Sequence, residues 1–317
     1  MNNKPIIKYL RDFLDYSEVE KGLSIKTQEN YSRFLNNFFK WLKDNKLDKL
    51  PPQNLNDEHV WRYRLFLSRH IDPRTKKLLK KSTQNYYLIA LRRLLEFFVE
   101  KNIDSLPPSK IKLAKDRSER EIKFLNLEQL KRLLSSPDDK NINGLRDRAI
   151  LETLFSTGLR VSELTNLNRD QIKISKESDY LELSVVGKGQ KVRTIYFSKR
   201  AIDILNKYLN KRTDIDPALF INFKPGIEKS EISRRLTPKS VENIVKKYIK
   251  ITGLPIMATP HTLRHSFATD LLNQGVDLRL VQEFLGHKNI ATTQIYTHVT
   301  SKQLRDIHKK IHNNRQL

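Results

Sequence analysis

Along the first hundred residues the apolar positions recur every three or four, the period of helices that turn one face inward. Pro5 to Tyr16 predicts a short helix. Ser24 is placed to cap a longer one, in which Tyr31, Phe34, Leu35, Phe38, Trp41 and Leu42 make an aromatic stripe of the kind that packs a core. Asn56 opens a third helix with Val60, Tyr63 and Leu67 inward, and Ser82 a fourth with Leu88, Leu91, Leu95 and Phe98. Between these two, DPRTKKLLKKS at 72–82 reads as a basic connection without regular structure. Residues 1–105 are thus expected to form a small all-helical domain.

The period breaks at the double proline that follows Leu106. Residues 106–120, LPPSKIKLAKDRSER, alternate charge with small residues and are expected to be a linker, leaving 121–317 as a second domain. There Asn126 or Leu127 starts a helix, and Gly144 precedes another that ends at Gly158. Over 180–197, YLELSVVGKGQKVRTIYF, the period shortens to two on either side of a glycine-rich turn, which predicts two strands. Helical spacing then returns. Thr237-Pro238 and Thr259-Pro260 are both helix starts, with a hydroxyl cap followed by a proline that gives up no hydrogen bond. Gly275 ends the second of these helices, Asp277 caps LRLVQEFL, and Gly286 is in place for a left-handed cap. The fold class is mainly α, of the α+β kind: a helical N-terminal domain and a mostly helical C-terminal one with a small antiparallel sheet.

Composition changes the picture in two ways. Lys and Arg number 60 against 36 Asp and Glu, a net charge of +24 that points to a polyanionic partner. The excess is spread through the chain, 21 basic against 13 acidic up to residue 105 and 39 against 23 beyond it, so both domains are expected to meet that partner. With no cysteine, disulfides and thiol catalysis are excluded. No apolar run approaches the ~18 residues of a membrane span, and the first residues lack the apolar core of a signal peptide, so a cytoplasmic protein is expected.

The densest candidate chemistry lies between Thr259 and Val299. His261 falls in the first turn of a helix, with Arg264 and His265 on the same face, where free N–H groups and the positive end of the helix dipole favour a phosphate. His287 follows Gly286, and Tyr296 lies in the segment beyond. A histidine by itself is more often structural and a tyrosine more often packing; the concentration of these types in so basic a chain is what carries weight. Upstream, GLRVSELTNL sets Arg160 three residues before Glu163, either as a surface ion pair or as a guanidinium held in one pose for a phosphate. Lys188 sits between two glycines of the hairpin turn. The GKGQ run is no nucleotide loop, since no Ser or Thr follows the lysine, but a hairpin tip of this kind fits a nucleic-acid groove. Further candidates for DNA contact are Arg193 after that turn, Arg234 and Arg235 before the Thr237 helix, and Arg92 and Arg93, which belong equally well to a solvated face.

TGLRVSEL at 157–164, VVGKGQKVR at 185–193, HTLRH at 261–265, LGH at 285–287 and TTQIYTHV at 292–299 resemble, in type and order, the motif series of the tyrosine recombinases, the family of phage integrases and Xer recombinases. The likeness is closest to the Xer branch and covers almost the whole chain; 72–82 and FKPGIEKSEISRRL at 223–236 match the family least. It implies a SAM-like core-binding domain that clamps DNA, followed by a catalytic domain with the DNA breaking-rejoining fold. By the same resemblance Tyr296 is the nucleophile, forming a 3′-phosphotyrosyl link and freeing a 5′-hydroxyl. Arg160 and Arg264 grip the non-bridging oxygens, Lys188 protonates the departing oxygen, His261 serves in proton transfer, His287 bonds the phosphate and Glu163 supports Arg160. The implied partner is a double-stranded recombination site, on two copies of which a homo-tetramer, or a hetero-tetramer with a second recombinase, assembles by exchanging C-terminal helices. Leu304, Ile307 and Ile311 make a narrow apolar stripe suited to that exchange.

The chemistry is consistent with these residue types. A phenol with a pKa near ~10 needs local positive charge and a proton acceptor to attack at neutral pH. Two arginines can stabilise the charge that builds on a five-coordinate phosphorus, so no metal or other cofactor is implied, and an ester exchanged for an ester needs no ATP. Two rivals stand beside this reading. A metal-dependent nuclease would use His261, His265 and His287, but Thr262 stands where the H-E-x-x-H pattern has its carboxylate. A DNA-binding regulator would use the same charge without cutting.

Overall fold

The computed structural model describes residues 4–73, 75–114, 124–173, 181–187, 191–223, 234–254 and 258–286. The chain divides into two compact units, Met1–Glu119 and Arg120–Leu317.

The first unit is helical. A 3-10 turn, Ile6–Tyr9, leads into α1 (Leu10–Val19), followed by α2 (Ile25–Asp44), α3 (Asp57–Arg69) and α4 (Lys81–Glu100). The aromatic stripe of α2 does become core: Leu35, Phe38, Trp41 and Leu42 are buried, and Tyr63 of α3 meets Phe38 edge-on at 4.8 Å while its hydroxyl donates to Asn37 Oδ1 at 3.0 Å. Each such side chain contributes roughly 1.5–3 kcal/mol by leaving water. Asn56 caps α3 as expected, accepting from the His59 N–H at 3.0 Å. Two other expected caps do not form. Ser24 stands at the N-cap of α2 but shares its hydroxyl with Thr27 Oγ1 at 3.0 Å, and α4 begins ahead of Ser82, with Lys80 in the cap position.

Two connections carry more structure than their composition suggests. The basic stretch before α4 is closed by a bridge between Ile71 and Leu78 and by the Asp72 N–H donating to Lys77 O at 2.9 Å. The start of the presumed linker packs on the first unit: Ile111 is fully buried in its core, with Leu106 and Leu113 partly so. Arg92 donates to Ile111 O and Asn85 pairs with both backbone groups of Ala114, fixing 111–114 against α4.

In the second unit α5 (Leu127–Leu134) is opened by a reciprocal cap between Asn126 and Gln129. Next comes α6 (Ile142–Thr157), which packs against several neighbouring elements and is buried on nearly every side. Its buried charges are all paired. Arg146 bonds Asp147 and Ile221 O, Asp147 accepts from the Tyr248 hydroxyl, and Glu152 takes Arg200 Nε at 2.6 Å. The helix begins earlier than Gly144 because Asn141 caps it; the glycine lies inside, where a Cβ would come within 1.8 Å of Asp138 O.

A short α7 (Val161–Asn166) is followed by β1 (Leu181–Val186) and β2 (Val192–Phe197), antiparallel with Leu181 opposite Phe197 and Val186 opposite Val192. The hairpin was legible; the next helix, α8 (Lys199–Asn210), was not, although Ser198 caps it and Ala201, Ile202, Ile204, Leu205 and Tyr208 bury one side. The unit continues with α9 (Pro238–Ile251), α10 (Pro260–Asn273) and α11 (Leu278–Leu285). Their starts at Thr237, Thr259 and Asp277 are capped as the sequence predicts.

Candidate active site

Three helix ends meet at the candidate site: the carboxyl ends of α6 and α11 and the amino end of α7. Gly158 closes α6 with φ +60°, and a Cβ there would lie 2.5 Å from Phe267 Cδ1, so both backbone and packing call for glycine. Gly286 closes α11 in the same way, with φ +62°. Arg160, two residues past Gly158, is the N-cap of α7.

Glu163 is the hub. Its buried carboxylate accepts the Arg160 backbone N–H on Oε2 at 2.8 Å and Arg160 Nη1 on Oε1 at 2.8 Å. Arg193 of β2 takes both oxygens at once, Nη1 to Oε1 at 3.0 Å and Nη2 to Oε2 at 2.8 Å. Burial alone would raise the pKa of this carboxyl, but the bonds from Arg193 and Arg160 outweigh it and hold the group down at about 2. The Arg160–Glu163 pair is therefore not a solvated surface ion pair: the carboxylate is buried and bonds Arg160 through both its backbone N–H and its guanidinium.

The guanidinium groups converge on one helix end. Arg193 Nε donates to Phe284 O at 3.2 Å, Arg264 Nη2 to Leu285 O, and Arg160 Nη2 to Gly286 O at 3.2 Å. Successive carbonyls at the end of a helix have no partners within it and carry partial negative charge, so three cations there are doubly favourable. Arg264 Nη1 also donates to Gly158 O. The arginine is 4% exposed, whereas a quarter of the Arg160 side chain faces solvent.

At the start of α10 the Thr259 cap with Pro260 behind it sets His261 and Arg264 one turn apart. Partial desolvation and the charges of Arg264 and Arg160 lower the pKa of His261, and burial with the neighbouring His261 and Arg264 lowers that of His265 to about 4. Both imidazoles are thereby kept neutral near pH 7, when they can accept a proton. Fixed cations beside a neutral base suit an entering phosphodiester.

The structure thus brings Arg160, Glu163, His261 and Arg264 together and adds Arg193, which the sequence reading placed on DNA. The signal was available: Arg193 shares strand parity with the buried Ile195 and Phe197, so it points inward and requires a counter-charge. Lys188, His287 and Tyr296 lie outside the described residues, as does the segment with Leu304, Ile307 and Ile311. The remaining DNA-contact candidates divide. Arg234 bonds Asp214 at 3.2 Å, and Arg235 donates to Thr165 O and Leu167 O at 2.7 and 3.0 Å, which ties the strand-like segment before α9 to the end of α7. Arg92 is held by Ile111 O. Arg93, paired to Glu96 at 2.6 Å, keeps more than half of its side chain in solvent.

Comparison with known proteins bears on the family and the fold. Residues 123–303 match the phage integrase family, and residues 10–102 match the phage integrase N-terminal SAM-like domain. The chain is 36% identical over 310 residues to the tyrosine recombinase XerD of Lacticaseibacillus casei, covering 96% of this chain and 98% of the relative. It is 34% identical over 320 residues to the tyrosine recombinase XerC of Pelotomaculum thermopropionicum, covering 96% and 97%. Among solved structures, the XerH site-specific recombinase in a post-cleavage complex with its palindromic difH substrate superposes with a TM-score of 0.74 over 97% of each chain; at 23% identity this speaks for the fold. The chain therefore belongs to the phage integrase family. It is a tyrosine recombinase, and its resemblance to the Xer branch extends over nearly its full length.

Proposed function

We propose that this chain is a site-specific recombinase of Xer type that cuts and rejoins duplex DNA through Tyr296. Its phenolic oxygen attacks a backbone phosphorus, a 3′-phosphotyrosyl bond forms, and the 5′-oxygen leaves with a proton from Lys188. Arg160 and Arg264 hold the non-bridging oxygens, His261 moves protons, His287 bonds the phosphate and Glu163 fixes Arg160. Attack by a 5′-hydroxyl on the phosphotyrosine then reverses the step, so the bond energy is kept and neither ATP nor a metal takes part.

The observation that carries this reading is the convergence of Arg160 and Arg264 on the carboxyl end of α11, beside His261 at the amino end of α10. Charge of one sign is thereby fixed in place before a phosphate arrives. The net charge of +24 supports DNA as the substrate. In the same reading the first unit is the core-binding domain that clamps the duplex, and the second is the catalytic domain. Two sites are joined in a tetramer, of one chain or of two kinds, through exchange of the segment after Val299. Among the described residues no helix is long and apolar enough to cross a membrane, in keeping with a cytoplasmic enzyme.

Covalent capture tests the proposal. The protein is incubated with fragmented DNA of its source genome, and DNA that stays attached after denaturation is sequenced to recover the site. A duplex carrying that site, nicked beside the cleavage point, should then trap a 3′-linked adduct in the presence of chelator, and Tyr296→Phe should abolish it. Cutting that persists in Tyr296→Phe and stops with chelator would favour a nuclease; adduct that survives Tyr296→Phe would mean that another side chain is the nucleophile; binding with no adduct would favour a regulator.

A further inference from the structure

Arg193 has its side chain 9% exposed, and each of its three nitrogens donates a hydrogen bond inside the protein: Nη1 and Nη2 to Glu163, Nε to Phe284 O. Its surroundings are built around it. A Cβ on Gly286 would fall 2.8 Å from Arg193 Cδ, and one on Gly187 would fall 3.4 Å from Nη1 and 3.3 Å from Glu163 Oε1. Two glycines, one in the hairpin and one at the end of α11, thus leave room for this side chain.

We propose that Arg193 is a positioning residue for strand cleavage, acting through Glu163 and the carboxyl end of α11 and not through contact with DNA. The inference rests on the recombinase reading above. Charge makes the first part of the case. Arg160 alone against a buried Glu163 would be a neutral pair of little use to a phosphate. With Arg193 taking both carboxylate oxygens, two cations face one anion, and the surplus positive charge stays with the more exposed Arg160. Geometry makes the second. Because Arg193 occupies the carboxylate, Arg160 keeps only Nη1 on Oε1 and turns Nη2 to Gly286 O. Arg193 itself holds Phe284 O, so it fixes both the pose of Arg160 and the helix end from which the chain leads into His287. A lysine cannot replace it, since a single ammonium cannot pair with both oxygens and reach Phe284 O in this fork geometry.

The test compares Arg193→Ala and Arg193→Lys with the unsubstituted chain on the nicked duplex recovered by covalent capture, with thermal melting to confirm folding. At saturating DNA the first-order rate of adduct formation should fall about 100-fold in Arg193→Ala, the loss typical of one preorganised donor. Affinity and its salt dependence should stay as they were, and added ethylguanidinium should restore at least a tenth of the lost rate. Arg193→Lys, which keeps the charge, should fold and still cut slowly. An unchanged rate in folded Arg193→Lys would overturn the proposal. So would a fall of about 0.9 in the slope of log affinity against log salt, the mark of a lost phosphate contact. Absence of adduct with the unsubstituted chain would instead sink the recombinase reading. The placement of Arg160 is checked without DNA: its guanidinium N–H resonances should be protected from exchange and lose that protection in Arg193→Lys, and persistence there overturns the assignment.

Discussion

Arg264 donates through Nη1 to the carbonyl of Gly158, the residue that ends α6 in a left-handed turn, and holds Leu285 O of α11 with Nη2. One side chain therefore satisfies the ends of two helices far apart in sequence. A residue proposed to grip the reacting phosphate is thus also part of the frame, and activity and stability should be lost together when it is changed.

Arg264→Ala should lower cleavage by ~10²–10³ through loss of one phosphate clamp. It should also destabilise the second unit by about 1–3 kcal/mol for each buried carbonyl left without a donor. Urea unfolding followed at Trp and Tyr is not selective enough for this, so amide exchange over residues 154–158 and 282–286 is the measurement, with covalent capture beside it. An Arg264 variant that cuts poorly yet keeps full protection at both helix ends would show that the carbonyl bonds are incidental.

Glu163 gives a prediction in pH. Its carboxyl stands at about 2 in the folded chain against an ordinary 4.5, so the unfolded chain binds the proton more readily. The stabilisation is present in full above about pH 4.5 and is lost as pH falls through about 2. Glu163→Gln should remove that part of the acid sensitivity and, by leaving two guanidinium groups facing a neutral amide, cost on the order of 3–5 kcal/mol at neutral pH. Denaturant midpoints of both proteins across this range check the sign as well as the size.

His265 acts in the same sense, at a higher pH. Burial, His261 and Arg264 hold it at about 4, below the 6.5 of a free imidazole, so it is neutral in the fold and the unfolded chain takes up its proton first. Its contribution to stability is complete above about pH 6.5 and shrinks as pH falls toward 4. A titration of histidine ring protons by NMR should show the His265 signal unmoved at pH 6. A midpoint near 6.5 would mean that the site is more open to water than its packing suggests.

Much of this arrangement was legible before the structure, because it rests on local chemistry. Asn126, Thr237, Thr259 and Asp277 cap helices, and Gly158 and Gly286 end them, since a polar cap or a left-handed turn is decided by a few adjacent residues. What was missed depends on partners far along the chain. Gly144 looked like a helix boundary, but the approach of Asp138 O explains it. Residues 106–114 read as linker by composition, yet Ile111 finds a core to enter. Nor does net charge say which cations have carboxylates or carbonyls of their own within the fold, as Arg193, Arg234 and Arg235 do.

The two glycines Gly286 and Gly253 separate backbone strain from function. Both have φ near +60°, so an alanine at either should cost about 1–2 kcal/mol from the left-handed conformation alone. Around Gly253 a Cβ meets nothing within 4 Å, whereas at Gly286 it would come within 2.8 Å of Arg193 Cδ and 3.3 Å of Nε. Gly253→Ala should therefore lower the melting temperature and leave the rate of covalent capture unchanged. Gly286→Ala should lower the melting temperature further and, by pushing Arg193 off Phe284 O and Glu163, also slow capture by ~10²-fold, the loss of one preorganised donor. Equal rates in the two variants would mean that Arg193 can move aside without disturbing Arg160, and the coupling between the hairpin, Glu163 and the end of α11 would have to be abandoned.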